Sequence, residues 1–196
     1  MKSNDYSLIS GDFIRIRNTK RKPEVLLSFC HPDMNHFYQG KKFLGSEKVF
    51  FDKTNYDVKF KDASDAAKYT FLLSDGSMIM MQYLFDAKGL LLEHSLTYAP
   101  DPSLIFDKHF TRIDYSSNNN DFKDVIHSKC HAHFSISDSS PRITVNHYLM
   151  PSDFLFLILK YYYLDDSEFT NSLVINKNRI QTLSSKESKL VFINFV

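Results

Sequence analysis

The sequence has little glycine, proline and cysteine and no tryptophan: five glycines, six prolines and two cysteines occur in 196 residues. No flexible Gly/Ser-rich linker and no shift in composition marks a domain boundary, so we expect a single domain over residues 1–196. The two cysteines, Cys30 and Cys130, lie a hundred residues apart. Because no secretory signal precedes them, we expect both to be free thiols in a reducing compartment.

The chain also lacks an excess of charge and a long apolar run. Its 24 basic and 23 acidic side chains give a net charge of +1, so any nucleic-acid binding must come from a local patch. The longest apolar run, Phe154–Leu159, is far shorter than the roughly 20 residues of a membrane span. Met1–Asp12 carries charges and no apolar stretch, which excludes a signal peptide. We therefore expect a cytoplasmic protein with no membrane partner.

Aromatic residues are plentiful, with 18 phenylalanines and 11 tyrosines. Such a composition favours strands with helices packed on them over a helical bundle. The clearest strands lie between Tyr69 and Tyr98, where the turns 74–77 and 86–89 separate three apolar segments. These segments predict a meander of three antiparallel strands, which the prolines at 100 and 102 end.

The N-terminal part alternates isoleucine and arginine over Phe13–Arg17, which predicts an early strand with one basic face. A basic turn at 20–23 then leads into a predicted strand, Val25–Phe29. The basic side chains are interpreted either as solvated or as a phosphate-facing patch. In the second interpretation the nucleic-acid-binding residues are Arg15, Arg17, Arg21 and Lys22.

Towards the C-terminus, Phe154–Leu164 is apolar nearly all round and predicts a buried helix, with Ser152 or Asp153 as its N-cap. The final run, Leu190–Val196, is apolar and predicts a paired strand.

Between them lies a histidine-rich segment that predicts a hairpin. Apolar residues at 132, 134, 136, 143 and 145 alternate with polar ones, and a turn at 137–140 would pair His133 with Thr144 and His131 with Asn146. One face is then apolar. The other face collects His131, His133, Ser135, Arg142, Thr144 and Asn146.

Two histidines at alternate positions of one strand have their Cβ atoms about 6.5 to 7 Å apart. Such a pair can act as general base and general acid on a phosphodiester, with Arg142 holding the phosphate and His127 as a supporting donor. RNA cleavage of this kind needs no cofactor and no metal. The same pair could instead bind a metal, with Cys130, His127 or a distant Cys30, His31 or His36 completing the shell, although an adjacent arginine disfavours a cation. A third interpretation is a polar binding or structural face.

The order of short motifs resembles an uncharacterised bacterial family, domain of unknown function family 2290. The likeness spans about Tyr69–Tyr163. It is carried by Ser74-Asp75-Gly76-Ser77, Gln82-Tyr83, His94-Ser95-Leu96, Pro100-Asp101-Pro102, Arg112-Ile113-Asp114-Tyr115, His127, His131-Ala132-His133, Arg142, Pro151 and Phe154. Family members often have proline after the first histidine, where this chain has Ser128. The resemblance implies a cytoplasmic bacterial or phage protein of a kind found among mobile defence genes, and it implies no activity.

Together these observations predict an α+β fold in which an antiparallel sheet, formed by the meander and the His-rich hairpin, is packed by a buried helix from the C-terminal half. The leading functional hypothesis is a nucleic-acid-acting protein, a metal-independent ribonuclease or toxin-like effector. Its catalytic residues would be His131, His133, Arg142 and His127. The alternative is a non-catalytic accessory subunit that recognises RNA or another protein through the same face. Substrate and oligomeric state stay open.

Overall fold

The fold is that of a computed structural model. It describes residues 4–29, 37–38 (backbone), 41–105, 110–118, 129–134, 136, 143–145 and 147–173. The C-terminal strand predicted at Leu190–Val196 lies outside these residues, as does Cys30.

One antiparallel sheet organises the described residues. Its nine strands run in the order β1-β4-β5-β6-β7-β8-β9, and β3 pairs with β5 and carries β2 on its other side. The strands are β1 (Leu26–Phe29), β2 (Phe37–Tyr38), β3 (Lys41–Gly45), β4 (Phe71–Leu73), β5 (Met78–Phe85), β6 (Leu91–Ala99), β7 (Thr111–Ser116), β8 (Cys130–His133) and β9 (Ile143–Thr144). With the helices below, this sheet confirms the predicted α+β fold.

Four α-helices accompany the sheet in the described part of the chain: α1 (Asp5–Asn18), α2 (Tyr56–Asp65), α3 (Pro151–Tyr162) and α4 (Glu168–Ser172). A short 3₁₀ turn, Pro102–Leu104, follows β6. Among the described residues, no helix combines the length and the apolar character that crossing a bilayer requires.

The predicted meander is confirmed as β4, β5 and β6. Its first turn contains Gly76 at φ +85°, a left-handed conformation that glycine adopts without strain. The Asp75 side chain accepts the Ser77 backbone N–H at 3.0 Å and holds this turn in place. The predicted strand after the basic turn is likewise confirmed as β1, at one edge of the sheet.

The strand predicted over Phe13–Arg17 is wrong, because these residues belong to helix α1. Ile9, Phe13 and Ile16 are all buried, and their spacing of four and three residues is that of one helix face. A five-residue window with alternating residues fits a strand equally well. The longer segment that includes Ile9 shows the helical spacing of buried residues. Asn4 caps this helix by accepting the Ser7 N–H at 3.0 Å.

Helix α3 confirms the predicted buried helix, but neither Ser152 nor Asp153 is its N-cap. Met150 occupies the cap position, and the Asp153 carboxylate reaches back to accept the Met150 N–H at 3.0 Å. The Ser152 N–H donates at 2.8 Å to Asp12 of α1. A carboxylate from another helix therefore replaces the local cap, which the local sequence does not reveal.

Both faces of the sheet are covered. On the first face, α1 and α3 pack against residues such as Ile79 and Met81 of β5. On the second face, α2 packs against the alternating residues Met78 and Met80 in a smaller aromatic cluster. Strand β7 pairs with β6 of the meander and β8 pairs with β7, so the residues that these two strands place on the second face lie on the same side of the sheet as the aromatic cluster.

Candidate functional site

The candidate site lies on the second face, where β7 and β8 pair. Arg112 is the partner of His133 and Asp114 is the partner of His131 in the antiparallel register. Directly opposed residues point to the same side of a sheet, so the four side chains are neighbours on one face. Together with Lys48, which reaches in from the segment after β3, they form what we call the histidine cluster.

The two histidines are in ring contact. The centroids of His131 and His133 lie 5.0 Å apart with an angle of 68° between the planes. One of the two rings also contacts the guanidinium of Arg112 on β7, since Arg112 Nη2 lies 3.4 Å from His133 Nε2. Both histidines are buried, with 6% and 2% of their surface exposed.

Asp114 is the only carboxylate among the cluster's five residues, and two cations converge on it. Arg112 Nε lies 2.8 Å from Oδ2, and Lys48 Nζ lies 3.5 Å from Oδ1. Ser95 also donates its hydroxyl to Oδ1 at 2.7 Å. Burial raises the pKa of Asp114, but Lys48, Arg112 and the Ser95 hydrogen bond together outweigh it, so the pKa lies below its ordinary value. The carboxylate is therefore ionised at neutral pH, and the two cations exceed it by one positive charge.

Arg112 is held by two members of the cluster. Its buried Nε lies 2.8 Å from Asp114 Oδ2 in an ion pair that is not aligned as a hydrogen bond. Its Nη2 lies 3.4 Å from His133 Nε2. The guanidinium is therefore fixed between the carboxylate and one imidazole.

The same residues include a donor set that could hold a metal ion. One ligand atom each from Asp114, His131 and His133 lies within 4.8 Å of the others. However, Asp114 Oδ2 faces Arg112 and Oδ1 faces Lys48 and Ser95. A metal would have to displace these groups and then remain beside a guanidinium. The cluster as it stands suits an anion better than a cation.

The structure brings together two of the four predicted catalytic residues, His131 and His133. His127 and Arg142 lie outside the described residues. Strands β8 and β9 pair antiparallel as predicted, and the predicted turn at 137–140 lies outside the described residues, but the register is wrong, because His131 pairs with Thr144 and not with Asn146. The shift is two residues. Since an even shift keeps every side chain on its face, the apolar pattern cannot distinguish the two registers.

Sequence reasoning missed Arg112, Asp114 and Lys48 as site residues. A signal for two of them exists, because Arg112 and Asp114 alternate with the buried Ile113 in the strand that follows the meander. Pairing that strand with the His-rich strand would have aligned them with the histidines. For Lys48 no local signal exists, since it reaches the cluster from an irregular segment.

The predicted N-terminal basic patch does not adjoin the cluster. Arg15 and Arg17 lie on α1, which packs on the first face, and Arg15 pairs with Asp12 at 2.9 Å. Arg21 and Lys22 precede β1, and Lys22 lies over the Phe29 ring. Strands β1 and β8 are five steps apart in the sheet, a separation of about 24 Å.

His94 lies on the first face, as its apolar parity predicts, and is 3% exposed. Its Nε2 accepts the Leu149 backbone N–H at 3.2 Å, and burial lowers its pKa to about 3. His94 is therefore a core histidine, although its Nδ1 makes no hydrogen bond to a described residue. Cys130 is also buried on this face, in the core behind the two cluster histidines.

Comparison with known proteins agrees with this picture only at the level of the family. Neither the curated proteins nor the solved structures contain a match to the chain. A family model described as "Uncharacterized conserved protein (DUF2290)" matches residues 37–111 and 103–195, which include every strand from β2 to β9 and the whole histidine cluster. The resemblance inferred from the motifs is thereby confirmed, and the chain belongs to the DUF2290 family of uncharacterised conserved proteins.

Proposed function

We propose that this protein acts on RNA as a metal-independent ribonuclease and that the histidine cluster is its active centre. The observation that carries the proposal is the convergence of Lys48 and Arg112 on a single carboxylate next to two imidazoles. The net positive charge of Lys48, Arg112 and Asp114 favours a phosphodiester as the ligand.

The chemistry follows from the residue types. One imidazole takes the proton from the 2′-hydroxyl, and the oxygen attacks the adjacent phosphorus to form a 2′,3′-cyclic phosphate. The bond from phosphorus to the 5′-oxygen breaks, and the other imidazole, as imidazolium, donates its proton to that leaving oxygen. Arg112 stabilises the negative charge that develops on the phosphate oxygens. It thus takes the role that sequence reasoning gave to Arg142, which we retain, with His127, as a supporting residue.

Asp114 is a positioning residue in this scheme. It opposes His131 across the strand pair, and Ser95 fixes its orientation. A carboxylate held in this way orients a neighbouring imidazole and stabilises its protonated form. The remote residues Arg15, Arg17, Arg21 and Lys22 would contact only RNA long enough to reach around the sheet. From the family likeness we also propose a cytoplasmic role in a bacterium or phage.

The test is RNA cleavage in the presence of EDTA. We expect a labelled RNA to yield products ending in 2′,3′-cyclic phosphate, while DNA of the same sequence stays intact because it lacks the 2′-hydroxyl. His131→Gln and His133→Gln should each lower the rate by about a hundredfold or more. His94→Gln, a histidine change on the opposite face, should leave cleavage unaffected and serves as the control.

Because both cluster histidines are buried, each variant is first checked for its melting transition and circular dichroism. Absence of cleavage by the folded wild-type protein would contradict the proposal. Equal rates in the wild-type protein and the two folded variants would contradict it as well.

The burial of His131 and His133 favours a second candidate, a non-catalytic module that recognises RNA or another protein. Catalytic groups must reach their substrate, whereas a binding site can use the cations at its rim. In this case the Arg112→Gln change weakens binding with no turnover in any variant. The salt dependence identifies the partner, because phosphate contacts weaken steeply with added salt and apolar protein contacts do not.

A further inference from the structure

We propose that Phe50 is a stacking platform for an unpaired base, so that the substrate of the histidine cluster is single-stranded RNA. This inference rests on the proposed function and deepens it by naming the form of nucleic acid. It starts from an aromatic side chain that the fold leaves in solvent next to the cluster.

Phe50 is 66% exposed, while its neighbour Phe51 is 5% exposed. Phe51 anchors the segment in the second-face cluster, with its ring 5.1 Å from Tyr56 and 5.8 Å from Phe110. The Asp52 carboxylate fixes the following turn by accepting the Thr54 and Asn55 backbone N–H groups. The exposed ring therefore projects from an anchored backbone, and its exposure does not result from a loose loop.

Lys48 links this ring to the cluster. Its Nζ lies 4.9 Å from the centroid of the Phe50 ring and 3.5 Å from Asp114 Oδ1. The sum of these two distances, about 8.4 Å, is the largest possible separation between the ring centroid and that oxygen. A nucleotide whose phosphate meets Lys48 and Arg112 can place its own base or the next one on Phe50.

This combination of an exposed aromatic ring with adjacent cations is the usual basis for binding single strands. Bases stack on the ring without sequence preference, while the cations hold the backbone. In a duplex the faces of the bases are already stacked on one another, and the ring has nothing to contact. The arrangement therefore discriminates single strands from duplexes by geometry and not by base sequence.

The chain offers a matched control for exposed aromatic surface. Tyr161 is also 66% exposed, but it belongs to α3, which packs on the first face of the sheet. If any exposed ring could bind bases, Tyr161 would serve as well as Phe50. The proposal requires that only the ring beside the cluster matters.

The experiment measures the affinity of labelled oligonucleotides by fluorescence anisotropy in EDTA at low salt. The probes are a short single-stranded 2′-O-methyl RNA, which lacks the attacking hydroxyl and is not cleaved, its duplex with the complementary strand, and an abasic 2′-O-methyl RNA of the same length. We expect Phe50→Ala to weaken the binding of the single-stranded RNA by at least about fivefold and to leave the binding of the abasic RNA unchanged. Phe50→Tyr, which keeps the ring, and Tyr161→Ala should both bind as the wild-type protein does.

The outcomes separate this inference from the proposed function. If Arg112→Gln weakens single-stranded RNA but Phe50→Ala does not, the stacking platform is wrong and the phosphate site stands. If the duplex binds as tightly as the single strand, the platform is likewise wrong. If the folded wild-type protein binds no RNA, both proposals fall together.

Discussion

The buried His94 predicts a specific loss of stability in mild acid. In the folded protein burial lowers its pKa to about 3, whereas the ordinary value of 6.5 applies to the unfolded chain. As the pH falls below 6.5, the unfolded chain takes up a proton on this histidine and the folded protein does not. The free energy of unfolding must therefore decrease between pH 6.5 and pH 3.

The magnitude follows from the unfolded pKa alone as long as the folded pKa lies well below 5. Each pH unit below 6.5 contributes about 1.36 kcal/mol, so the protein loses about 2 kcal/mol through His94 between about pH 7.5 and about pH 5. Burial also lowers the pKa of His147, which adds a loss of the same sign. A variant is needed to isolate the contribution of His94.

His94→Gln supplies that variant, because a glutamine stays neutral at every pH and its amide oxygen can accept the Leu149 N–H that His94 accepts. Urea unfolding of both proteins is measured at the two pH values. We expect the wild-type protein to lose about 2 kcal/mol more than the variant over this range. Equal losses in the two proteins would refute the account of His94 as a neutral core histidine, whatever the absolute stability of the variant.

Other predictions concern two contacts between elements, at the start of α3 and between β3 and β5. Asp12→Ala removes the buried acceptor of the Ser152 N–H at the start of α3 and should lower the free energy of unfolding by about 1.5 to 3 kcal/mol in urea titration. Arg15→Ala, which removes only the half-exposed partner of Asp12, should cost less than about 1 kcal/mol; the reverse order would contradict the capping role. Gly45→Ala should sharply lower the melting temperature, because Gly45 has φ +105° and a Cβ there would overlap the Met81 carbonyl oxygen. A normal melt would show that β3 can shift away from β5.

The sequence predicts well where a short local pattern decides the structure. The turn at Gly76 and the alternating strands around it define the meander. The apolar stretch Phe154–Leu164 predicts α3, and the parity of His131 and His133 places both on one face. In each case the decisive residues are neighbours in the chain.

Prediction fails where distant segments decide. Arg15 and Arg17 resemble strand residues over five positions, but the burial of Ile9 against the sheet makes the segment a helix. The cap of α3 comes from a residue about 140 positions away, Asp12. The cluster itself is assembled from β7, β8 and the segment after β3, and only the pairing of strands brings Lys48 to Asp114.

The central claim is that the histidine cluster receives a phosphodiester and not a metal ion. The most direct measurement follows the imidazole ¹⁵N resonances of His131 and His133 by NMR. The protein is titrated in EDTA with a 2′-deoxy dinucleotide, which lacks the attacking hydroxyl, and in a separate sample with Zn²⁺. The account predicts that the dinucleotide shifts both sets of resonances and that Arg112→Gln weakens this response. Resonances that respond to Zn²⁺ at stoichiometric amounts and ignore the dinucleotide would contradict it.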